Sequence, residues 1–215
     1  MRRILIISLL TFMVMQGFSQ ITLRHITNTA LLREGDLMFC ASGKPSAITD
    51  VTRGIDEMGI NHVAIFHKDK KGSYAIEAIH KGVCMNPINS FINANKGNDG
   101  NKQIITGRIN CDSIDISKSI KNALKYIGRP YDFYFEPSDS AIYCSELVQI
   151  SFVDHNGKLL FYTIPMSFHN KSGEITTFWK DYYSKGGMKV PEGAPGSNPG
   201  ELSREKIIKM LYIIM

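Results

Sequence analysis

The feature that most constrains this chain is a pair of apolar runs, residues 61–67 and 73–84, separated by the polar, glycine-containing stretch 68–72. A polar turn between two such runs predicts a β-hairpin. With Asp69 and Lys70 at the centre of the turn, counting back along both strands places His62 directly opposite Glu77. Side chains that are opposite each other on adjacent strands share a face and have Cβ atoms roughly 5 Å apart.

The alternation of side chains along the hairpin assigns its residues to two faces. One face carries His62, Ala64, Phe66, Ala75 and Glu77, and the other, which points into a core, carries Val63, Ile65, Tyr74 and Ile76. On this register Glu77 accepts the Nδ1–H of His62, and Nε2 stays free to take a proton from a thiol. A shift of one residue would separate the pair onto opposite faces. A solvated His–Glu pair on the surface is the alternative interpretation.

The rest of the chain predicts a mixture of strands and helices. Strands are predicted at 37–40 and 103–109, and helices at 46–58, 117–127, 145–153 and 176–183. Residues 190–200, with three prolines and three glycines, predict an extended surface segment, and the apolar tail 207–215 is expected to pack on the body. No repeat or linker divides the chain. We therefore expect residues 20–215 to form a single α+β domain, with helices grouped apart from a mostly antiparallel sheet.

Cys144 lies where a polar turn meets the predicted helix 145–153. The unpaired N–H groups and positive dipole end of a helix favour a thiolate and a developing oxyanion. By itself, a cysteine at this position is better explained as a small buried apolar side chain. A nucleophilic cysteine needs a base and a group that orients the base, and the His62–Glu77 pair supplies both types.

Several aromatic residues between two predicted helices are candidates either for a substrate cleft or for the core. Tyr131, Asp132 and Tyr143 are the candidates for contact with substrate or oxyanion, because a tyrosine hydroxyl ahead of the nucleophile can assist the oxyanion. Cys40, His80 and Cys84 match no compact zinc spacing, so neither a metal nor another cofactor is predicted.

The N-terminus has the pattern of an export signal. Arg2-Arg3 precede an apolar run at 4–15, and Gly17-Phe18-Ser19 provides small residues for cleavage. We predict a signal peptide at 1–19 and export to the periplasm or beyond, the alternatives being an uncleaved anchor or a buried N-terminal helix. The run is too short to span a bilayer comfortably, so no stable membrane span is expected after signal removal.

Composition excludes several classes of protein. The chain is 43% hydrophobic and 21% charged, which excludes a mainly disordered chain or a polytopic membrane protein. Without Arg2 and Arg3 the excess of basic residues falls from five to three, which gives no support for nucleic-acid binding.

An exported chain meets oxidising conditions, yet the spacing of the four cysteines sets no disulfide framework. Whether Cys40, Cys84 and Cys111 include a bridge stays open.

Five motifs occur in an order that resembles a known family: Gly35-Asp36-Leu37-Met38-Phe39, Asn61-His62-Val63-Ala64-Ile65, Ile76-Glu77-Ala78, Tyr131-Asp132-Phe133 and Tyr143-Cys144-Ser145-Glu146-Leu147-Val148. Together they resemble the permuted papain-like amidases of the YiiX/YaeF type, relatives of the NlpC/P60 cell-wall hydrolases. Histidine before cysteine is the order that a circular permutation of papain implies. The resemblance is close over residues 32–153 and looser over 191–203.

The resemblance implies a circularly permuted papain-like fold in which Cys144 is the nucleophile, His62 the general base and Glu77 the orienting group. It implies an exported amidase or peptidase that acts on cell-wall peptides through an acyl-enzyme. Related permuted members act on lipid acyl groups, so a lipid acyltransferase or lipase of the lecithin:retinol acyltransferase-like type is the alternative enzyme. That alternative predicts an apolar cleft built from Phe133, Phe135, Leu211 and Tyr212. A non-catalytic protein that binds peptides or lipids is the second alternative.

Overall fold

A seven-stranded sheet organises the chain. The computed structural model describes residues 23–96, 102–136 and 140–214, so the predicted signal peptide lies outside the described residues. The strands of the sheet are β1 (Arg24–Ile26), β2 (Leu37–Ser42), β3 (Ile60–Lys68), β4 (Ser73–Ile79), β5 (Gly82–Pro87), β6 (Lys102–Ile109) and β9 (Ile208–Ile214), in the spatial order β1-β9-β6-β2-β3-β4-β5. The pairs are antiparallel except β1–β9, which is parallel. Two short strands, β7 (Ile164–Pro165) and β8 (Pro195–Gly196), pair separately.

The described residues form six α-helices: α1 (Ala47–Val51), α2 (Ile88–Asn95), α3 (Ile116–Lys125), α4 (Cys144–Ser151), α5 (Thr177–Lys185) and α6 (Pro199–Ser203). Local side chains define several helix starts. Asp115 accepts the Lys118 N–H at 2.9 Å at the start of α3, and Asn198 accepts the Glu201 N–H at 2.7 Å at the start of α6. These bonds satisfy backbone donors that have no acceptor within the helix.

The sheet has an apolar core on each face. On one face Val63, Ile65 and Ile76 pack with Leu147 and Val148 of α4. On the other, Ala64 and Phe66 pack with Phe91 of α2. The predicted division of the hairpin residues between two faces is therefore confirmed for these positions. The α+β class, with a mostly antiparallel sheet and packed helices, is also confirmed.

Two predicted elements differ from the structure, and one further element was missed. The predicted helix 46–58 ends at Val51, because Gly54 and a 3₁₀ turn with positive φ at Asp56 and Glu57 follow it. The apolar run 73–84 is two strands, β4 and β5, since Gly82 adopts φ +98 at the turn between them. The helix α2 was not predicted.

The prediction that 190–200 is a surface segment is wrong for its second half. Gly196, Ser197, Pro199 and Gly200 are buried, since β8 pairs with β7 and α6 packs against β3. The tail 207–215 does more than pack on the body, because residues 208–214 form β9 inside the sheet.

A buried ion pair ties the start of β2 to β6. Asp36 is fully buried, and its two carboxylate oxygens accept Nε and Nη2 of Arg108, both at 2.7 Å. The backbone N–H of Arg33 also donates to Asp36 Oδ2 at 2.8 Å. The hydrogen bond to Asp36 raises the pKa of Arg108.

The four cysteines are free thiols in the structure. Across the three described ranges, no helix has both the length and the apolar character that crossing a bilayer demands.

Candidate active site

The first turn of α4 carries Cys144. Tyr143 is the N-cap, and its N–H donates to the Glu146 carboxylate at 3.3 Å, which fixes the entry of the chain into the helix. Cys144 is buried and packs in the core cluster that contains Leu147 and Val148. The backbone N–H groups of a first helical turn have no intrahelical acceptor, so they are available near the sulfur.

The hairpin brings His62 and Glu77 together, but on a different register from the predicted one. The β3–β4 ladder pairs Ile65 with Ile76 and Lys68 with Ser73. Extended by alternation, this ladder places Glu77 level with Ala64, two positions from the predicted pairing with His62. The shift is an even number of residues, so His62 and Glu77 still share a face.

The turn chemistry explains the two-residue shift. Asp69 Oδ1 accepts the N–H groups of Lys71 at 2.7 Å and Gly72 at 3.0 Å, and the Asp69 N–H donates to the Gly72 carbonyl. An aspartate that bonds the backbone two and three residues ahead makes its own turn. The turn is therefore centred one residue later than predicted, on Lys70 and Lys71.

The His62 and Glu77 side chains form a short contact. His62 Nε2 lies 2.7 Å from Glu77 Oε2, and the side chains are 15% and 5% exposed. The prediction that Nδ1 faces Glu77 is wrong, because the two ring nitrogens are exchanged. With Nε2 bonded to Glu77, Nδ1 is the ring atom left for the sulfur.

The electrostatic environment of His62 favours the imidazolium. Burial lowers the pKa of His62, but side-chain hydrogen bonds to Cys144 and Glu77 and the negative charge on both raise it from 6.5 to about 10. The interaction with Cys144 is the largest of the raising effects. His62 is therefore the protonated partner beside Cys144 at neutral pH.

Asn86 is a site residue that the sequence did not reveal. Its Nδ2 donates to Glu77 Oε1 at 2.8 Å, while Oε2 is held by His62. Asn86 reaches Glu77 because β5 pairs with β4, with Glu77 opposite Cys84 and Ala75 opposite Asn86. The missing signal was the turn at Gly82, without which the predicted strand continues through residues 83 and 84 and stops short of Asn86.

A second cysteine lies close to the site. Cys40 is the partner of His62 across the β2–β3 ladder. Burial raises the pKa of Cys40 well above its usual value, and the negative charges of Glu77 and Cys144 raise it further. Cys40 therefore stays a neutral thiol while Cys144 is the sulfur beside the base.

A cavity of about 80 Å³ lies beside Cys144. Its lining comes from α1, the start of β3, the loop before α4, α5 and the segment before α6. Two of the three predicted substrate residues, Tyr131 and Tyr143, line it, and Asp132 does not. Asn61, which precedes His62 at a β-bulge between β2 and β3, also lines it.

The three predicted substrate residues have different surroundings. Burial and the nearby Cys144 raise the pKa of Tyr131, so its hydroxyl stays protonated as a donor. The Tyr143 hydroxyl accepts the Ser197 N–H at 2.9 Å, and burial raises its pKa to about 12. Asp132 Oδ1 accepts the Tyr134 N–H at 2.8 Å and so shapes the loop.

That loop is held in place from both sides. Arg129 O accepts the Val83 N–H at 2.8 Å, and Pro130 O accepts the Ile142 N–H at 2.9 Å. A Cβ at Gly82 would lie 2.4 Å from Arg129 O, so only glycine fits there. Further along, Phe135 adopts φ 55, a left-handed conformation that is strained for phenylalanine, and its ring packs edge-on against Tyr143 at 5.3 Å.

The other histidine of β3 has a separate partner. His67 Nδ1 contacts Glu34 Oε1 at 2.6 Å, away from Cys144. Within the described residues, no group of three or more His, Cys, Asp and Glu side chains is arranged to hold a metal ion.

Comparisons with known proteins identify the family and the fold. A family model described as "Permuted papain-like amidase enzyme, YaeF/YiiX, C92 family" matches residues 31–212. The chain is similar to the crystal structure of metalloprotein YiiX from Escherichia coli O157:H7, with 22% identity, a TM-score of 0.64 and coverage of 83% of this chain and 96% of that chain. No curated protein matches the sequence. The predicted resemblance and the permuted papain-like fold are thus confirmed.

Proposed function

Because the chain belongs to the permuted papain-like amidase family YaeF/YiiX, C92, we propose that it hydrolyses an amide bond through Cys144, His62 and Glu77. The single observation that carries this proposal is the His62 imidazole, which is bonded to Glu77 and interacts with Cys144. A base between a thiol and an orienting carboxylate is the arrangement that nucleophilic catalysis by cysteine requires.

In the proposed reaction the Cys144 thiolate attacks the amide carbonyl and forms a tetrahedral intermediate. The oxyanion accepts hydrogen bonds from the Cys144 backbone N–H and from the Tyr131 hydroxyl. His62, protonated at rest, donates its proton to the leaving nitrogen, and the C–N bond breaks. The neutral imidazole then takes a proton from water, which attacks the thioester and releases the acid and the thiolate.

We propose a cell-wall peptide as the substrate and export as the route to it. Export is supported by Arg2-Arg3, the apolar run 4–15 and the small residues that follow. A cysteine amidase outside the cytoplasm of a bacterium meets the amides of cell-wall peptides. In this proposal Asp132 does not contact the substrate, and its role is to shape the loop that carries Tyr131.

The lipid alternative has one observation in its favour, which is the apolar lining of the cavity beside Cys144. Of the four residues predicted for a lipid cleft, Phe135 lines this cavity, Phe133 packs against Tyr131 at a ring distance of 5.0 Å, and Leu211 and Tyr212 lie in β9. A cleft built jointly by Phe133, Phe135 and the tail is not formed.

The proposal is tested by assaying the purified protein on peptide amides, peptidoglycan digests and phospholipids, with mass spectrometry of the products. Cys144→Ala should abolish amide hydrolysis and keep the fold, whereas Cys111→Ala, at a half-buried free cysteine, should keep both. His62→Ala should lower kcat/KM on the order of 10⁴-fold or more, and Glu77→Gln by about a hundredfold less than that.

Four outcomes would contradict the proposal. Full activity in Cys144→Ala would exclude Cys144 as the nucleophile, and equal rates in His62→Ala and Glu77→Gln would exclude their assigned roles. Release of fatty acid without any amide cleavage would favour the lipid enzyme. Tight binding of peptides without turnover by the unaltered protein would favour a binding protein.

A further inference from the structure

The cavity beside Cys144 is lined by uncharged side chains. Sixteen residues line it, and none of these described residues is Asp, Glu, Lys, Arg or His. The apolar part of the wall includes Val51, Met166, Phe168 and Trp179. Met166, Phe168 and Trp179 are each buried, so this wall is part of a packed cluster and not a loose surface.

Some polar groups of the wall are paired with one another, whereas the buried Trp179 Nε1 has no hydrogen-bond partner among the described residues. Ser197 Oγ donates to Ser145 Oγ at 3.1 Å, and the Ser197 N–H donates to the Tyr143 hydroxyl at 2.9 Å. A ligand group that enters the cavity therefore meets few unpaired partners in this part of the wall. A charged group would lose its hydration without gaining a counter-ion from the residues that line the cavity, which is costly. An apolar group gives up no hydrogen bonds to water when it enters the cavity.

The size of the cavity limits what it can hold. An apolar cavity of about 150 Å³ binds benzene, which has six carbon atoms. By proportion, the 80 Å³ beside Cys144 holds about three or four carbon atoms. A long acyl chain would have to leave the cavity after a few methylene groups.

We infer that this cavity is a substrate pocket for an uncharged, apolar group of about three or four carbon atoms next to the scissile carbonyl. This inference rests on the proposed function, because it takes Cys144 as the nucleophile. It narrows the substrate class to amides that present a small aliphatic side chain or short acyl group at this position. Lysine-like and glutamate-like side chains, and long acyl chains, are excluded from the cavity.

The inference can be tested with alkyl methanethiosulfonates, which transfer an S–R group to a thiolate and release methanesulfinate. The group R then lies beside Cys144 whatever its position in the natural substrate. Rates are measured with R as methyl, propyl, octyl, 2-aminoethyl and 2-sulfonatoethyl, by mass spectrometry of the Cys144 peptide. Each rate is divided by the rate of the same reagent with glutathione.

The methyl reagent tests the proposed function, and the other reagents test the pocket. We expect the methyl reagent to modify Cys144 faster than an ordinary cysteine below neutral pH. We expect the propyl reagent to exceed both charged reagents by about tenfold or more, and to exceed the octyl reagent. If the charged reagents react with Cys144 as fast as the propyl reagent, the inferred apolar pocket would be overturned, even if the methyl reagent reacts rapidly. A low methyl rate would count against the activated thiol while leaving the ratios measurable.

Two matched substitutions test whether the selectivity among the reagents arises in the cavity. Ile48 lines the cavity and is 41% exposed, whereas Ile127 lies beyond α3, is 43% exposed and does not line it. Ile48→Asp should lower the propyl rate and raise the 2-aminoethyl rate relative to methyl, because it adds a counter-ion for the cation. Ile127→Asp should change neither ratio. Equal changes in both variants would also overturn the inference.

Discussion

The Glu77 carboxylate divides its two oxygens between two partners. Oε2 lies 2.7 Å from His62 Nε2, and Oε1 accepts from Asn86 Nδ2 at 2.8 Å. A carboxylate held at only one oxygen rotates about its terminal torsion, so Asn86 fixes the direction in which Glu77 presents its charge to the imidazole. Asn86 is therefore a positioning residue that acts through Glu77 and does not touch the substrate.

Replacing Asn86 should alter turnover more than binding. Asn86→Ala should lower kcat roughly tenfold with little change in KM, by analogy with residues that orient ligating side chains. Asn86→Asp, although nearly the same size, should be worse, because it places a second negative group beside Glu77. Steady-state kinetics on the same amide measures both. Asn95→Ala, which removes another half-buried asparagine bonded at 2.9 Å to Phe91 O, is the control. Equal kinetics in all three variants would remove Asn86 from the site.

The Asp36–Arg108 pair should matter for stability, because one partner is wholly buried. Arg108→Met leaves the Asp36 carboxylate without its counter-ion and should lower the free energy of unfolding by about 3–5 kcal/mol. Arg53→Met, which breaks the more exposed pair with Asp50 at 3.4 Å, should cost less than about 1 kcal/mol. Urea denaturation measures both. Similar losses of unfolding free energy in the two variants would contradict the special contribution of the Asp36–Arg108 pair to stability.

Individual site residues were predictable where a short pattern determined their placement. Cys144 follows from a turn that meets a helix, and the shared face of His62 and Glu77 follows from strand alternation, which a two-residue error in register does not disturb. Asn86 was not predictable, because its approach to Glu77 needs a turn at Gly82 that an apolar run of residues conceals. The choice of His62 nitrogen depends on side-chain torsions, which a pattern does not encode.

At the scale of elements, the segment that contains β8 and α6 covers the start of α4. Ser197, between β8 and α6, bonds to both Tyr143 and Ser145 of the neighbouring segment. The burial of this segment was not predictable, because proline and glycine indicate extended backbone but not whether it is covered. The helix caps at Asp115 and Asn198, by contrast, are local and follow the sequence.

Removing the Tyr143 hydroxyl tests this covering segment. Tyr143→Phe leaves the buried Ser197 N–H without its acceptor, so it should lower the free energy of unfolding by about 1–3 kcal/mol. The Ser197 amide should also exchange faster with deuterium, because the segment opens more often. Tyr162→Phe, at a hydroxyl on a ring that is 66% exposed, is the control. Unchanged exchange at Ser197 would show that the bond does not hold the segment.

At the scale of the whole molecule, the pKa of His62 links stability to pH. The pKa is 6.5 for an ordinary histidine and about 10 for His62 in the folded protein. A group with a higher pKa when folded stabilises the folded state fully below its unfolded pKa and loses that contribution as pH rises through the folded pKa. The contribution of His62 is therefore complete below pH 6.5, declines above it and is lost beyond about pH 10.

This dependence can be measured by urea unfolding across the same pH interval. The free energy of unfolding of the unaltered protein should fall toward pH 10 more steeply than that of His62→Gln. His155→Gln, at an exposed histidine, should follow the unaltered protein. Parallel curves for His62→Gln and the unaltered protein would show that the imidazolium does not stabilise the fold.

The overall α+β class was predictable, since it depends on the number and kind of apolar runs. The cavity was not, because its wall is assembled from segments near residues 48, 61, 131, 166, 179 and 197, which only the complete fold brings together. Sequence patterns describe neighbours along the chain, whereas a pocket is defined by neighbours in space.

The parallel pairing of β1 with β9 has a consequence for connectivity. Arg24 lies beside Tyr212, and Ile26 beside Ile214, at one edge of the sheet. Because the two strands are parallel, a crossover linker of about a dozen residues would be needed to join position 214 back to position 23, and a break placed ahead of Ser140 would then give a chain in which the nucleophile precedes the histidine, as in papain. The reaction centre would be assembled from the same atoms. The chemistry therefore does not require the nucleophile and the histidine to occur in a particular order along the chain.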